Sequence, residues 1–165
     1  MSYRFDNRDK DTFKKDIKDC SKIERLLINR YVAQLNNKLG KSVFTYVNHG
    51  VGNDGKFLES NKVNTNADYM LFKNGKNPRK IEIKFSRKTG KLFRLKVSQI
   101  ESYIKQQAIV IVFNGIEEET TTFTVLTPDD LSNIMILYKT VPCFLWGDKL
   151  VKEVPVSDFN WEVLD

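Results

Sequence analysis

Three residues of this chain have types and spacing that could do chemistry together: Asp68, Glu82 and Lys84. In the stretch "IEIKF", Ile81, Ile83 and Phe85 alternate with Glu82 and Lys84. That period of two predicts a half-buried strand with the acid and the lysine on one face. Asp68 precedes them in the apolar run "ADYMLF", where a carboxylate is out of place. A neighbouring strand in suitable register would bring Asp68 beside Glu82. Two carboxylates at that distance repel and call for a cation between them. The donors are oxygens, and the chain has a single histidine, His49, so the fitting ion is Mg²⁺, with Mn²⁺ as a substitute. Such an ion lowers the pKa of a water that it holds, Lys84 can orient that water or share its proton, and the ion offsets charge that builds on a phosphate. These parts suffice to hydrolyse a phosphodiester.

Other elements must position them. "SKIERLLINRYVAQLNNKLG" predicts a helix, with Ser21 as N-cap, Glu24 completing a capping box, an apolar stripe of Ile23, Leu27, Tyr31, Leu35 and Leu39, and Gly40 as its end. "SVFTYVNHG" reads as a strand, and the Gly/Asn-rich run from Gly50 to Asn66 as a long loop. A hairpin follows, with its turn in "KNGKNPRK", and then a basic loop, "RKTGKLFRLK". "VSQIESYIKQQ" predicts a helix with a second capping box, Ser98 and Glu101. "AIVIVFN" is apolar throughout, as a strand buried on both faces should be. A strand in "TTTFTVLT", a helix opened by Thr127 and Pro128, and one or two short strands around Gly147-Asp148 complete the chain. A buried strand reached through a helix suits a parallel crossover, so the expected class is α/β, a mixed central sheet flanked by helices on both faces.

At 165 residues the chain suits one domain, 1–165, with residues 1–20 as an arm or short helix. No apolar run reaches the roughly 20 residues of a membrane helix, and the charged start is unlike a secretory signal. Cys20 and Cys143 are too few for a disulfide framework or a zinc site, which makes an intracellular, cytoplasmic location the expectation. Residues 1–100 carry 23 Lys/Arg against 10 Asp/Glu, whereas residues 101–165 carry 4 against 11. A basic part that large favours a polyanionic partner.

Asp68 followed by Glu82-Ile83-Lys84 across a hairpin resembles the PD-(D/E)XK nuclease superfamily. That family's core is a helix, a three-strand meander carrying the acids and the lysine, a second helix and a further strand. The resemblance covers residues 21–113, with residues 114–165 as an extension of the sheet or a dimer surface. It implies a restriction-endonuclease-like core and a Mg²⁺-dependent endodeoxyribonuclease, most like small Holliday-junction resolvases and also similar to restriction and homing enzymes. The proline that precedes the aspartate in the family is Ala67 here. By resemblance, Asp68, Glu82 and the backbone carbonyl of Ile83 hold the metal, Lys84 positions the attacking water, and Glu24 supplies a further acid from the first helix. Gln99 matches a position that touches phosphate or water in the family.

Ser86 shares the face of Lys84 and is a candidate phosphate contact, as are Arg87, Lys88, Lys91, Arg94 and Lys96, a run that contains no acid. His49 reads as polar surface, and Trp146, Trp161, Phe144 and Phe159 as core or dimer surface. A homodimer is expected because two symmetric sites cut two strands most simply. The chain has little room for insertions that read base edges, so structure-selective cutting is expected ahead of sequence-specific cutting. The alternative from another class is a non-catalytic nucleic-acid-binding subunit with this fold.

Overall fold

The computed structural model describes residues 10–49 and 67–165, with the side chains of residues 10–14, 16 and 17 left aside. The Gly/Asn-rich loop and the first nine residues of the expected arm lie outside the described residues. The chain begins with α1 (Lys10–Leu39), which starts eleven residues before the expected cap. No glycine or proline stands between Lys10 and Ser21, so nothing stops the helix from extending toward the N-terminus. Ser21 is therefore interior, and Glu24 is not committed to a capping box. The buried stripe is wider than predicted: Leu27, Ile28, Tyr31 and Val32 pack inward, while Leu39 is exposed. Gly40, at φ 64°, closes the helix as expected.

β1 (Phe44–Asn48), β2 (Tyr69–Lys73) and β3 (Lys76–Phe85) form an antiparallel meander. The hairpin turn is tighter than predicted. Asn74 and Gly75, at φ 52° and 67°, make a two-residue turn, and β3 begins at once, with an irregularity where Asn77 also has positive φ. After β3 the expected basic loop is in part a strand, β4 (Leu92–Lys96), in which Leu95 faces the core and Arg94 faces solvent. β4 runs directly into α2 (Val97–Gln106). Lys96, in extended conformation, is the N-cap and makes no side-chain cap bond, so the expected Ser98/Glu101 box is absent. β5 (Ile109–Asn114) lies parallel to β3 and is almost wholly buried, as expected. β6 (Thr122–Leu126) and α3 (Pro128–Leu137) follow, and Thr127 and Asp130 form a reciprocal capping box at the predicted position.

β7 (Thr140–Cys143), a 3₁₀ turn at Phe144–Trp146, β8 (Lys149–Pro155) and β9 (Glu162–Val163) end the chain. The protein is thus mixed α/β, with a central six-stranded sheet in the order β1-β2-β3-β5-β6-β9 and a second sheet in the order β4-β8-β7. One face of the central sheet packs on α1 through Ile81, Ile83, Ile111 and Phe113. The other packs on α2 and α3 through Val110, Val112 and Leu126, with Leu95 and Val154 of the second sheet sharing this core. Helices therefore cover both faces, as expected. Phe159 and Trp161 belong to the second core, whereas Phe144 is 86% exposed. Among the described residues no helix is long and apolar enough to cross a membrane.

Candidate active site

The site forms where β3 outruns β2. Their register ends with Tyr69 opposite Ile81, while β3 continues to Phe85 against β5 alone. One further step of the same register sets Asp68 opposite Glu82, on the same face. The main chain there is pinned from β1, since the His49 amide donates to the Asp68 carbonyl at 2.8 Å. His49 reaches the site through its backbone, and its side chain is exposed.

Glu82 is 6% exposed. One of its oxygens, Oε1, accepts from Lys84 Nζ at 2.5 Å and from the Tyr103 hydroxyl at 2.6 Å. Lys84 also stands over the Tyr103 ring, 5.7 Å from its centroid. The Asp68 and Glu82 carboxyl groups are hydrogen-bonded to each other. Burial pushes the Asp68 carboxyl well above its usual range, and the neighbouring Glu82 and Glu24 charges push it further. Glu24, from α1, is raised to about 7, mainly by burial; Lys84 opposes the rise and Glu82 adds to it. Burial works against the Lys84 ammonium, but the Glu82 carboxylate outweighs it, so Lys84 is more firmly cationic than a free lysine.

Glu24, Asp68, Glu82 and Lys84, four residues separated by up to 60 positions, thus share one electrostatic site. Among the described residues no three acids, cysteines or histidines stand close enough to hold a metal ion in their present arrangement. Instead, the ammonium of Lys84 supplies positive charge beside the carboxyl groups, on Glu82 directly and on Asp68 and Glu24 through its field. The donors nonetheless are carboxyl oxygens, the type that a hard cation takes.

Tyr103 was not anticipated, because its partner lies 21 positions away and the residue reads as part of the apolar stripe of α2. A usable signal existed. Gln99 lies four residues before Tyr103, on the same helical face, so one stripe of α2 carries two polar groups. Gln99 itself is half-buried in the first turn.

The predicted phosphate contacts are less available than their sequence suggests. Ser86 donates its hydroxyl to Asn114 at 2.6 Å. Arg87 is paired with Glu117, and Arg94 with Glu153 at 2.7 Å. The Lys96 ammonium lies 4.9 Å from the Trp146 ring centroid. Lys88 and Lys91 remain exposed. The acidic C-terminal third therefore folds onto part of the basic segment, and charge segregated along the chain is partly cancelled in space. By contrast, Lys73, Lys76, Arg79 and Lys80 on the β2–β3 hairpin form no ion pair among the described residues. A cavity of about 510 Å³ opens at that hairpin, lined by Phe44, Leu71, Phe72, Lys73, Asn77, Pro78 and Arg79. It lies roughly 10–17 Å along β3 from Glu82, apart from the acids.

No protein-family model matches the chain, and neither a curated protein nor a solved structure matches it.

Proposed function

We propose that the chain is a metal-dependent endodeoxyribonuclease built on a PD-(D/E)XK, restriction-endonuclease-like core. The observation that carries the reading is the chain of contacts Asp68–Glu82–Lys84 at the point where β3 outruns its partner strand. The element order supports it: a helix, an antiparallel meander, then, after the intervening β4 of the second sheet, a helix and a strand parallel to the third of the meander. On this reading the chain works inside a cell, where its substrate is.

Asp68, Glu82 and the Ile83 carbonyl would hold Mg²⁺ or Mn²⁺, with Glu24 beside them. When bound, the ion supplies positive charge to the scissile phosphate and acidifies the attacking water. The chain's own residues do the rest. Lys84, kept cationic by Glu82, orients the water and faces the developing phosphate charge. Tyr103 fixes the rotamer of Glu82. With a cation bound, Asp68 and Glu24 would be held as carboxylates.

Tyr103→Phe removes the hydroxyl and keeps the ring over Lys84. Outer-shell partners of metal ligands change metal affinity by about 10- to 100-fold. The Mg²⁺ concentration for half-maximal cleavage should therefore rise about tenfold or more in a metal titration, with DNA affinity unchanged. An unaltered titration would mean that Tyr103 only fills space.

The hairpin cations that form no ion pair among the described residues predict where DNA lies. Replacing Lys76, Arg79 and Lys80 by glutamine should weaken DNA binding and lower its salt dependence by up to about three counterion equivalents. Replacing Arg87 and Lys88 should do less, because Arg87 is already neutralised by Glu117. Affinities measured at several salt concentrations decide between them; a larger loss from the Arg87/Lys88 variant would restore that segment as the main contact.

The competing reading is a nucleic-acid-binding module of this fold without chemistry. The deciding assay incubates the protein with Mg²⁺, Mn²⁺ or EDTA and a four-way junction, a linear duplex or a supercoiled plasmid. Cutting confined to junctions indicates a resolvase-like enzyme. Discrete duplex cuts indicate sequence specificity. Binding without metal-dependent cutting of any substrate would overturn the nuclease reading.

A further inference from the structure

The cavity at the β2–β3 hairpin takes no part in the acid site. Its volume of about 510 Å³ falls within the range of small-molecule sites. Strand register sets Phe44, Leu71, Lys73 and Arg79 on one face of the sheet: Phe44 pairs with Lys73, Leu71 pairs with Arg79, and Leu71 and Lys73 are two apart on β2. All four line the cavity, together with Phe72. That face packs on α1, whereas Glu82 and Lys84 lie on the face that meets Tyr103 of α2, so the cavity is a second site. Its wall at Phe44 is fixed. The Val43 and Phe44 amides donate to the Asn36 side-chain oxygen at 2.9 and 2.7 Å, and the Asn36 side-chain amide donates to the Phe44 carbonyl at 3.0 Å. The Asn74 amide, in the hairpin turn, donates to the Val43 carbonyl at 2.8 Å.

Buried Leu71 and half-buried Phe44 supply the apolar part of the cavity, and exposed Lys73 and Arg79 supply charge of one sign. Among the described residues, positions 25–81 hold no acid but Asp68. Glu162, which reaches the end of α1, is paired there with Lys38. The Lys73 ammonium lies 5.9 Å from the Phe44 ring centroid. That is near the outer limit for a cation over an aromatic face, so Lys73 can turn to a phosphate with little loss. Lys76 and Lys80 extend the cations over about 13 Å of β3, further than a single phosphate reaches.

We propose that this cavity receives an unpaired base of single-stranded DNA, with Phe44 as the stacking surface and Lys73 and Arg79 on the flanking phosphates. Single-strand sites combine cations along the backbone with aromatic rings under the bases, which is the chemistry gathered here. A base stacked within a duplex cannot enter a cavity, so the preferred substrate carries an unpaired nucleotide. A free nucleotide offers the same groups, but the spread of cations along β3 favours a strand. The inference rests on DNA as the partner and not on cleavage. The test uses the full chain and three DNAs that share one duplex: blunt-ended, with a thymidine tail, and with a tail of abasic nucleotides. Equal length and charge in the two tails isolate the bases, and fluorescence anisotropy reads the affinities. The wild type should bind the thymidine tail about tenfold more tightly than the abasic one, the size of one base–aromatic stack. Phe44→Leu keeps an apolar filler and should lose that ratio with blunt-duplex affinity nearly unchanged, whereas Phe44→Tyr should keep it. Equal wild-type affinity for the two tails, or a ratio that survives in Phe44→Leu, overturns the proposal. Displacement of the thymidine tail by an equal concentration of thymidine monophosphate overturns the strand as occupant. Failure to bind any of the three DNAs overturns DNA as the partner, and this proposal with it.

Discussion

Lys84→Ala is expected to lower metal-dependent cleavage at least about a hundredfold while leaving DNA affinity within a factor of two. Among the described residues, Lys84 is the cation that acts on Glu24, Asp68 and Glu82. Glu82 holds it at 2.5 Å and keeps it protonated. A group so placed can orient a water and offset phosphate charge, and a positioned proton-handling side chain is typically worth 10²- to 10⁴-fold in rate. One internal lysine adds little to an affinity set by many surface phosphate contacts. Single-turnover rates and equilibrium binding, measured on the same substrate, separate the two effects. Full activity in Lys84→Ala would remove the site from consideration. The matching change at Glu82 is better made to glutamine than to alanine. Alanine would leave the Lys84 ammonium and the Tyr103 hydroxyl without an acceptor, a loss that costs about 3–5 kcal/mol in a buried pair and confuses folding with chemistry. Glutamine keeps the volume and an acceptor, and should lose activity as severely.

The pairing that builds this site was legible because it depends on short-range periodicity. Alternation in "IEIKF" fixed which side chains of β3 share a face, and the single acid in "ADYMLF" marked the strand end that meets it. The partners of those residues were not legible, because each is set by tertiary packing. Tyr103 reaches Glu82 only because the crossover from β3 to β5 lays α2 across the sheet. Arg87 meets Glu117 because the turn after β5 returns beside the end of β3, where the Glu117 amide also donates to the Arg87 carbonyl. Local signals also misled where a longer-range preference prevailed. Ser21 and Glu24 have the spacing of a capping box, but the helix has no reason to begin there when the eleven residues before them contain no breaker. Ser98 and Glu101 have the same spacing, but β4 delivers the chain straight into α2. β4 itself was hidden because its inward positions, Phe93 and Leu95, are only two and are flanked by lysines and an arginine. Glu24 illustrates the gain from the structure. Once Ser21 is interior, the acid is free of local duty and shares the electrostatic field of Asp68, Glu82 and Lys84.

Raising the pH from 5 to 9 without divalent cations is expected to lower the melting temperature of this protein by about 10 °C, and Mg²⁺ should remove most of that loss. Glu24 and Asp68 both have folded-state pKa values above their unfolded ones. Their protonated forms therefore contribute stability that is fully present below about pH 4 and is lost as pH rises through the folded values. For Glu24 the rise from its ordinary 4.5 to about 7 corresponds to roughly 3 kcal/mol at about 1.4 kcal/mol per unit. At this chain length each kcal/mol moves the melting temperature about 2–4 °C. Asp68 acts in the same direction. Lys84 does not offset the trend in this window, because its pKa is raised from a value already above 10. Glu24→Gln supplies the control for every other titrating group. It should match wild type near pH 5, exceed it at pH 9 in the absence of metal, and gain less from Mg²⁺. Protons and the cation compete for the same oxygens, so Mg²⁺ should stabilise the wild type strongly at pH 9 and hardly at pH 5. Parallel curves for wild type and Glu24→Gln would show that Glu24 is not part of the cluster. A Mg²⁺ effect equal at both pH values would show that the ion binds elsewhere.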